Sequence, residues 1–258
     1  QIAKDTAMPE QTASGRTIDG YTYTTTPVEA RIGPHRYRFP ANYYDDQIGP
    51  YVGGGVGLTL LWPEFSAAPP GYRARPSAGE IHRAVVASID HIDAVPINEL
   101  LDRKASAQGT TEPGSLSRDD PRLRLDLRTR EQTDLGLVRH AVDEKRMESF
   151  AARYQALRGE PPVRNPRTED EWFTAEDTEG RLATFIKCDV PVGGRDGLHL
   201  ENGELIADSS TPIALCTHYF VDVADSLSIS LSYPRVLLAD WRRMEEAVRA
   251  VLGRYKVD

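Results

Sequence analysis

Leu227-Ser-Ile-Ser-Leu-Ser-Tyr-Pro-Arg-Val-Leu-Leu-Ala-Asp-Trp-Arg-Arg-Met-Glu-Glu-Ala-Val-Arg-Ala-Val-Leu-Gly253 changes periodicity partway along its length. Up to Tyr233 the apolar residues alternate with serine, the pattern of a strand that buries one face. From Val236 onward Leu237, Trp241, Met244, Val248 and Val251 fall on one stripe at helical spacing. This predicts an amphipathic helix over 236–252, stopped by Gly253. Segments 182–188, 199–206 and 214–223 read as three further strands, so the C-terminal part is a β-meander closed by a helix.

Upstream the signals are mixed. His35-Arg-Tyr-Arg-Phe39 alternates, and Val56-Gly-Leu-Thr-Leu-Leu-Trp62 is an apolar run, so two strands are expected, joined by a long turn through Gly53-Gly-Gly-Val-Gly57. Those glycines lack the spacing and following lysine of a phosphate loop. Residues 84–92 read as a strand, and Pro96 opens a short helix over 97–104. Arg122-Leu-Arg-Leu-Asp-Leu-Arg128 alternates strictly and predicts a strand with its leucines inward, paired with 135–142. Asp143 is a good cap for a helix over 144–157, with Met147, Phe150, Tyr154 and Leu157 at helical spacing. Segments 67–79 and 108–120 read as loop. Strands and helices do not alternate as a parallel sheet requires, so the expected class is α+β, antiparallel sheets with a few packed helices. Residues 1–30 form a polar N-terminal segment, 31–160 an N-terminal α+β half and 161–258 the meander plus helix. Pro161, Pro162 and Pro166 mark the division, although one continuous domain is also compatible with the pattern.

Among 258 residues, 39 acidic against 31 basic side chains give a net charge of −8, which argues against nucleic acid or an anionic membrane surface as partner and favours a basic protein. No apolar run is long enough to predict a transmembrane segment. Gln1 to Gly20 are polar and short of core formers, the composition expected of a tether left after signal cleavage.

Catalytic signatures are sparse. The chain has no G-x-S-x-G elbow and no H-E-x-x-H, and His35, His82, His91, His140, His199 and His218 are scattered over different elements. No catalytic residue, metal site or cofactor is expected. Asp90 beside His91 points to the opposite face of its strand and is badly placed to tune a general base. Cys188 and Cys216 lie in strand-like segments separated by a turn-rich stretch that lets the chain fold back, which favours a disulfide over two unrelated buried thiols.

The most informative surface candidate is Glu169-Asp-Glu-Trp-Phe-Thr-Ala-Glu-Asp-Thr-Glu179. Its carboxylates Glu169, Asp170, Glu171, Glu176, Asp177 and Glu179 are expected to be solvated, around Trp172 and Phe173 that either anchor a partner or turn into the core. Tyr43, Tyr44, Asp45 and Asp46 form a second acidic and aromatic patch.

Tyr37-Arg-Phe-Pro-Ala-Asn-Tyr43, Gly57-Leu-Thr-Leu-Leu-Trp-Pro63, Ile186-Lys-Cys188, Leu215-Cys-Thr-His-Tyr-Phe220 and Ile229 through Trp241 together resemble the periplasmic immunity proteins of type VI secretion lipase effectors. The resemblance implies a periplasmic inhibitor without turnover, whose partner is a cognate secreted phospholipase, with the phospholipase D class as first choice. A phospholipase must attract phosphate, so its mouth is expected to be basic and the 169–179 segment a complementary plug. A periplasmic enzyme or small-ligand carrier with a site assembled from distant residues, and an envelope scaffold protein, are the alternatives.

Overall fold

The computed structural model describes residues 15–76, 78–106, 112–165 and 169–257. Two hairpins come first, β1 (Gly15–Ile18) with β2 (Tyr21–Thr24) and β3 (Pro27–Ile32) with β4 (His35–Pro40). Then follow β5 (Val56–Leu61), β6 (Ser66–Ala67), the one-turn α1 (Ala78–Ile81), β7 (Ala84–His91) and α2 (Leu100–Ala105). Next are β8 (Thr129–Gln132), β9 (Val138–Ala141), α3 (Glu144–Arg158), β10 (Glu171–Glu176) and β11 (Leu182–Cys188). The chain closes with β12 (Leu198–Glu201), β13 (Glu204–Ala207), β14 (Leu215–Asp222), β15 (Leu227–Pro234) and α4 (Trp241–Tyr255). The expected antiparallel α+β class is what the chain adopts. Nine strands form one antiparallel sheet in the order β6-β5-β7-β15-β14-β11-β10-β9-β8, which takes strands from both sides of the proline-rich 160–168 region.

The alternation in β15 does what its sequence implies. Leu227, Ile229, Leu231 and Tyr233 are completely buried and the serines between them face the other side. Cross-strand register carries the same face through Cys216, His218 and Phe220 on β14, Thr184, Ile186 and Cys188 on β11, and Glu171 and Phe173 on β10. Helix α4 covers this face with Trp241, Met244, Val248, Val251 and Leu252, and the Trp241 indole N–H donates to the Leu135 carbonyl at 3.0 Å. Beneath the helix, the Glu245 Oε1 accepts from Thr184 at 2.7 Å and lies 2.8 Å from His218 Nε2, while the Tyr233 hydroxyl is 3.3 Å from His218 Nδ1. The opposite face carries Trp172, Phe185 and Tyr219 under the six-residue α2, through Leu101 and Ala105.

Several expectations are corrected. The alternating 122–128 segment is not a strand: Leu125–Leu127 is a single 3₁₀ turn, and β9 pairs instead with β8, which starts at Thr129. The cause is Arg128, whose buried guanidinium donates to the carbonyls of Arg122 (2.9 Å), His140 (3.2 Å) and Asp170 (2.7 Å) and bends the chain around itself. The Asp120 carboxylate also accepts from the Arg122 backbone N–H and starts a turn there. The C-terminal helix is two pieces, a 3₁₀ stretch Arg235–Asp240 and then α4, which runs through Gly253 to Tyr255. Segment 199–206 is a separate hairpin, because Asn202 and Gly203 both take positive φ and reverse the chain. Asp19 and Gly20 do the same, so the polar stretch read as a tether holds strand β1 from residue 15, while residues 1–14 lie outside the described residues. The two strands around the glycine turn belong to different sheets, and Gly53, Gly54 and Gly55 all take positive φ between them. Asp143 caps α3 as expected, its side chain accepting from the Arg146 backbone N–H.

Candidate functional site

Strand alternation divides the acidic segment. Phe173 faces α4, and Trp172 turns to the α2 face, so both aromatics are core residues. Glu171 was expected in water but is buried on the α4 side, held by the guanidinium of Arg139 and by Arg235 at 2.7 Å. Burial pushes its pKa up, but the hydrogen bonds from Arg139 and Arg235 outweigh that and keep it below the usual carboxylate range. Glu169 is held by Arg164 at 2.8 Å. Asp170 is half-buried, and its pKa is raised by burial and then by the nearby Asp189.

The solvated carboxylates sit at the other end, on the β10–β11 turn. Glu176 and Glu179 are exposed. Asp177 accepts from the backbone N–H groups of Glu179 and Arg181 and pairs with the Arg181 side chain at 2.8 Å, which shapes the turn. The second candidate patch is largely structural. Tyr43 stacks edge-on against Tyr255, and its pKa is pushed up to about 12 by burial and that neighbour. Tyr44 is buried and donates to the Val28 carbonyl at 2.9 Å. Asp45 accepts from Thr59 at 3.0 Å, and Asp46 caps the Ile48 and Gly49 N–H groups. Of the four, only Asp46 is exposed.

Two cavities open on the α2 face, on either side of the helix. The first, about 450 Å³, lies beside the acidic turn and is lined by Asp102, Asp126, Arg124, Arg130, His140, Thr174 and Glu176. At its floor His140 Nε2 is 2.9 Å from Thr174 Oγ1, and burial followed by Arg130 and Arg128 lowers the imidazole pKa to about 4. A hydroxyl beside an imidazole is the start of a nucleophile–base pair, but His140 Nδ1 is buried without an acceptor to orient it, and a base held at that pKa accepts protons weakly near neutrality. The second cavity, about 300 Å³, contains Lys104, Arg122, Arg128, Trp172 and Lys187 with Glu169 and Asp170. Its cations were missed in the sequence because Lys187 reaches Trp172 only through the β10–β11 register. Among the described residues no three His, Cys, Asp or Glu side chains converge as metal ligands, and no helix is long and apolar enough to cross a membrane.

Cys188 and Cys216 face each other across β11 and β14 and are joined in a disulfide. No known family model and no curated protein matches the chain. Among solved structures, the chain is similar to Smlt3025, described as an immunity protein of the Stenotrophomonas maltophilia type IV secretion system. The identity is 44% over 96% of this chain and 99% of that one, with a TM-score of 0.87. Agreement at that level over nearly all of both molecules extends to sequence as well as fold, and the chain therefore belongs to the family of that secretion-system immunity protein.

Proposed function

We propose that the protein binds and neutralises a cognate secreted toxin, without turnover, in the periplasm. The carrying observation is the 44% identity to a secretion-system immunity protein over almost the entire chain. The sequence motifs pointed to a type VI system, whereas the solved relative belongs to a type IV system; we take type IV as the delivery route, since similarity along the whole chain outweighs scattered strand ends. The disulfide accords with an oxidising compartment. A phospholipase remains the proposed toxin class. It rests on the sequence motifs and on the acidic β10–β11 turn, where Glu176, Asp177 and Glu179 would meet the basic mouth of a phosphate-binding enzyme.

Cells exporting the cognate toxin should survive when this chain is exported with it, and the purified pair should co-elute with hydrolysis of phospholipid vesicles blocked at stoichiometric amounts. Survival without complex formation would sink direct inhibition, and a complex that blocks a different hydrolase would remove only the phospholipase assignment. A second reading, a small-ligand carrier, is favoured by the cavity over His140, where Arg130 and Thr174 supply polar contacts. Retention of a small molecule by the purified protein, lost on filling that cavity with Ala105→Trp, would support it.

A further inference from the structure

The cavity on the far side of α2 has a charge that the chain as a whole does not. The Trp172 ring carries the Arg128 guanidinium 3.8 Å from its centroid and the Lys187 ammonium at 4.7 Å, and the Lys104 ammonium lies 4.4 Å from the Tyr219 centroid. These cations are not equally committed. Arg122 is bound bidentately by Asp120, and Glu169 is bound by Arg164, so these two are neutralised by partners outside the cavity lining. Arg128 bonds three carbonyls, but its Nε is buried without an acceptor. Lys104 and Lys187 hold no carboxylate among the described residues, and neither does Asp170 hold a cation at ion-pair distance. Burial presses the Lys187 pKa down, with Asp170 opposing and Arg128 and Lys104 adding to the effect. A half-buried ammonium in that position is short of a counter-charge.

We propose that this pocket receives one carboxylate of the toxin, an Asp or Glu side chain seated against Trp172 between Lys104 and Lys187. The inference rests on the immunity reading. The chemistry selects a monoanion: Arg128 is engaged by three carbonyls, so the two lysines are the cations left to take a ligand, and with Asp170 offsetting one of them the remaining single charge suits one carboxylate better than a dianionic phosphate. The Trp172 and Tyr219 rings hold the cations in place, and the loss of water around the pair makes the contact stronger than a rim ion pair. An acidic turn at one end of the face and a basic pocket at the other also fix the orientation of a partner with the opposite pattern.

The test uses the full chain with its toxin and, separately, propionate as a monocarboxylate probe. Lys187→Glu should weaken toxin binding by at least about tenfold, mainly through faster dissociation. Lys104→Glu, on the partly exposed side of α2, should do the same with an unchanged melting midpoint, which separates the effect from misfolding. Propionate should shift the Trp172 indole N–H resonance of the free protein, more than inorganic phosphate does, and the shift should vanish in Lys187→Glu. Unchanged toxin affinity in both lysine variants overturns the proposal while leaving the immunity function standing. If propionate binds at Trp172 and no toxin binds the parent chain, the immunity reading falls and the toxin carboxylate falls with it. A phosphate shift larger than the propionate shift overturns the choice of ligand.

Discussion

The two faces of the nine-stranded sheet are built on different terms. The α4 face is closed: a fifteen-residue helix lays five large apolar side chains over it, and its polar groups His218, Thr184 and Glu245 satisfy one another. The α2 face is covered by only six helical residues and the turn-rich 122–128 segment, and it keeps two cavities bordered by charged groups. Closure of the first face supplies the stability that allows the second to hold unneutralised charge. Changes on the α4 face should therefore appear as lost stability, and changes to the exposed charges of the α2 face as altered binding.

The largest expected loss comes from Trp241→Ala. The side chain is buried at the start of α4 and its N–H is bonded to Leu135, so its removal should cost about 3–5 kcal/mol and lower the denaturation midpoint accordingly. A midpoint equal to that of the parent would mean that α4 is not the element closing this face. Next comes the disulfide. Opening a link between residues 28 apart with Cys188→Ala and Cys216→Ala should cost about 3.5 kcal/mol on the loop-entropy relation, read as a shift in urea midpoint. Mass spectrometry of alkylated, unreduced protein exported to the periplasm should find no free thiol.

The closed face was also the legible one. Alternation in β15 and the helical stripe from Leu237 to Val251 each express burial of a single side, which a sequence displays directly. The α2 face was misread where long-range partners overrode local pattern. Leucines at 123, 125 and 127 alternate as in a strand, yet three carbonyls converge on Arg128 and curl the segment into a turn. Likewise, the acidic run 169–179 looks uniform in sequence. Pairing puts Glu171 against Arg139 and Arg235 inside, leaving solvated carboxylates at the turn. Neither arginine is near Glu171 in the chain, so no local signal could show its burial.

His140 provides a pH test of the α2 face. Its pKa is held at about 4 in the native protein, against an ordinary value near 6.5 once unfolded. Above pH 6.5 both states are neutral and the residue costs nothing. Between 6.5 and 4 the unfolded chain takes up a proton that the native site refuses, so stability falls by about 3 kcal/mol over that window, and below pH 4 the loss levels off. Replacing the imidazole with a non-titrating group, His140→Gln, should flatten the melting midpoint between pH 6.5 and 4 relative to the parent. Parallel curves for the two proteins would show that the imidazole is solvated and that the cavity floor is open.

The smallest expected effect lies at the acidic turn and is kinetic. Glu176 and Glu179 are exposed, and Asp177 faces Arg181, so these carboxylates act on a partner mostly through their field across water. Changing Glu176 and Glu179 to glutamine removes charge and leaves the Asp177 turn intact. Association with the toxin should slow by a few-fold at low salt and its salt dependence should weaken, while dissociation stays nearly constant. Asp177→Asn should add a loss from the turn itself, because its carboxylate organises two backbone N–H groups. The lysine variants on the far side of α2 should show the opposite signature, faster dissociation with little change in salt dependence. If the turn variants associate as the parent does across a salt series, the toxin approaches by another surface, and Asp46, the exposed member of the second acidic patch, is the next position to change.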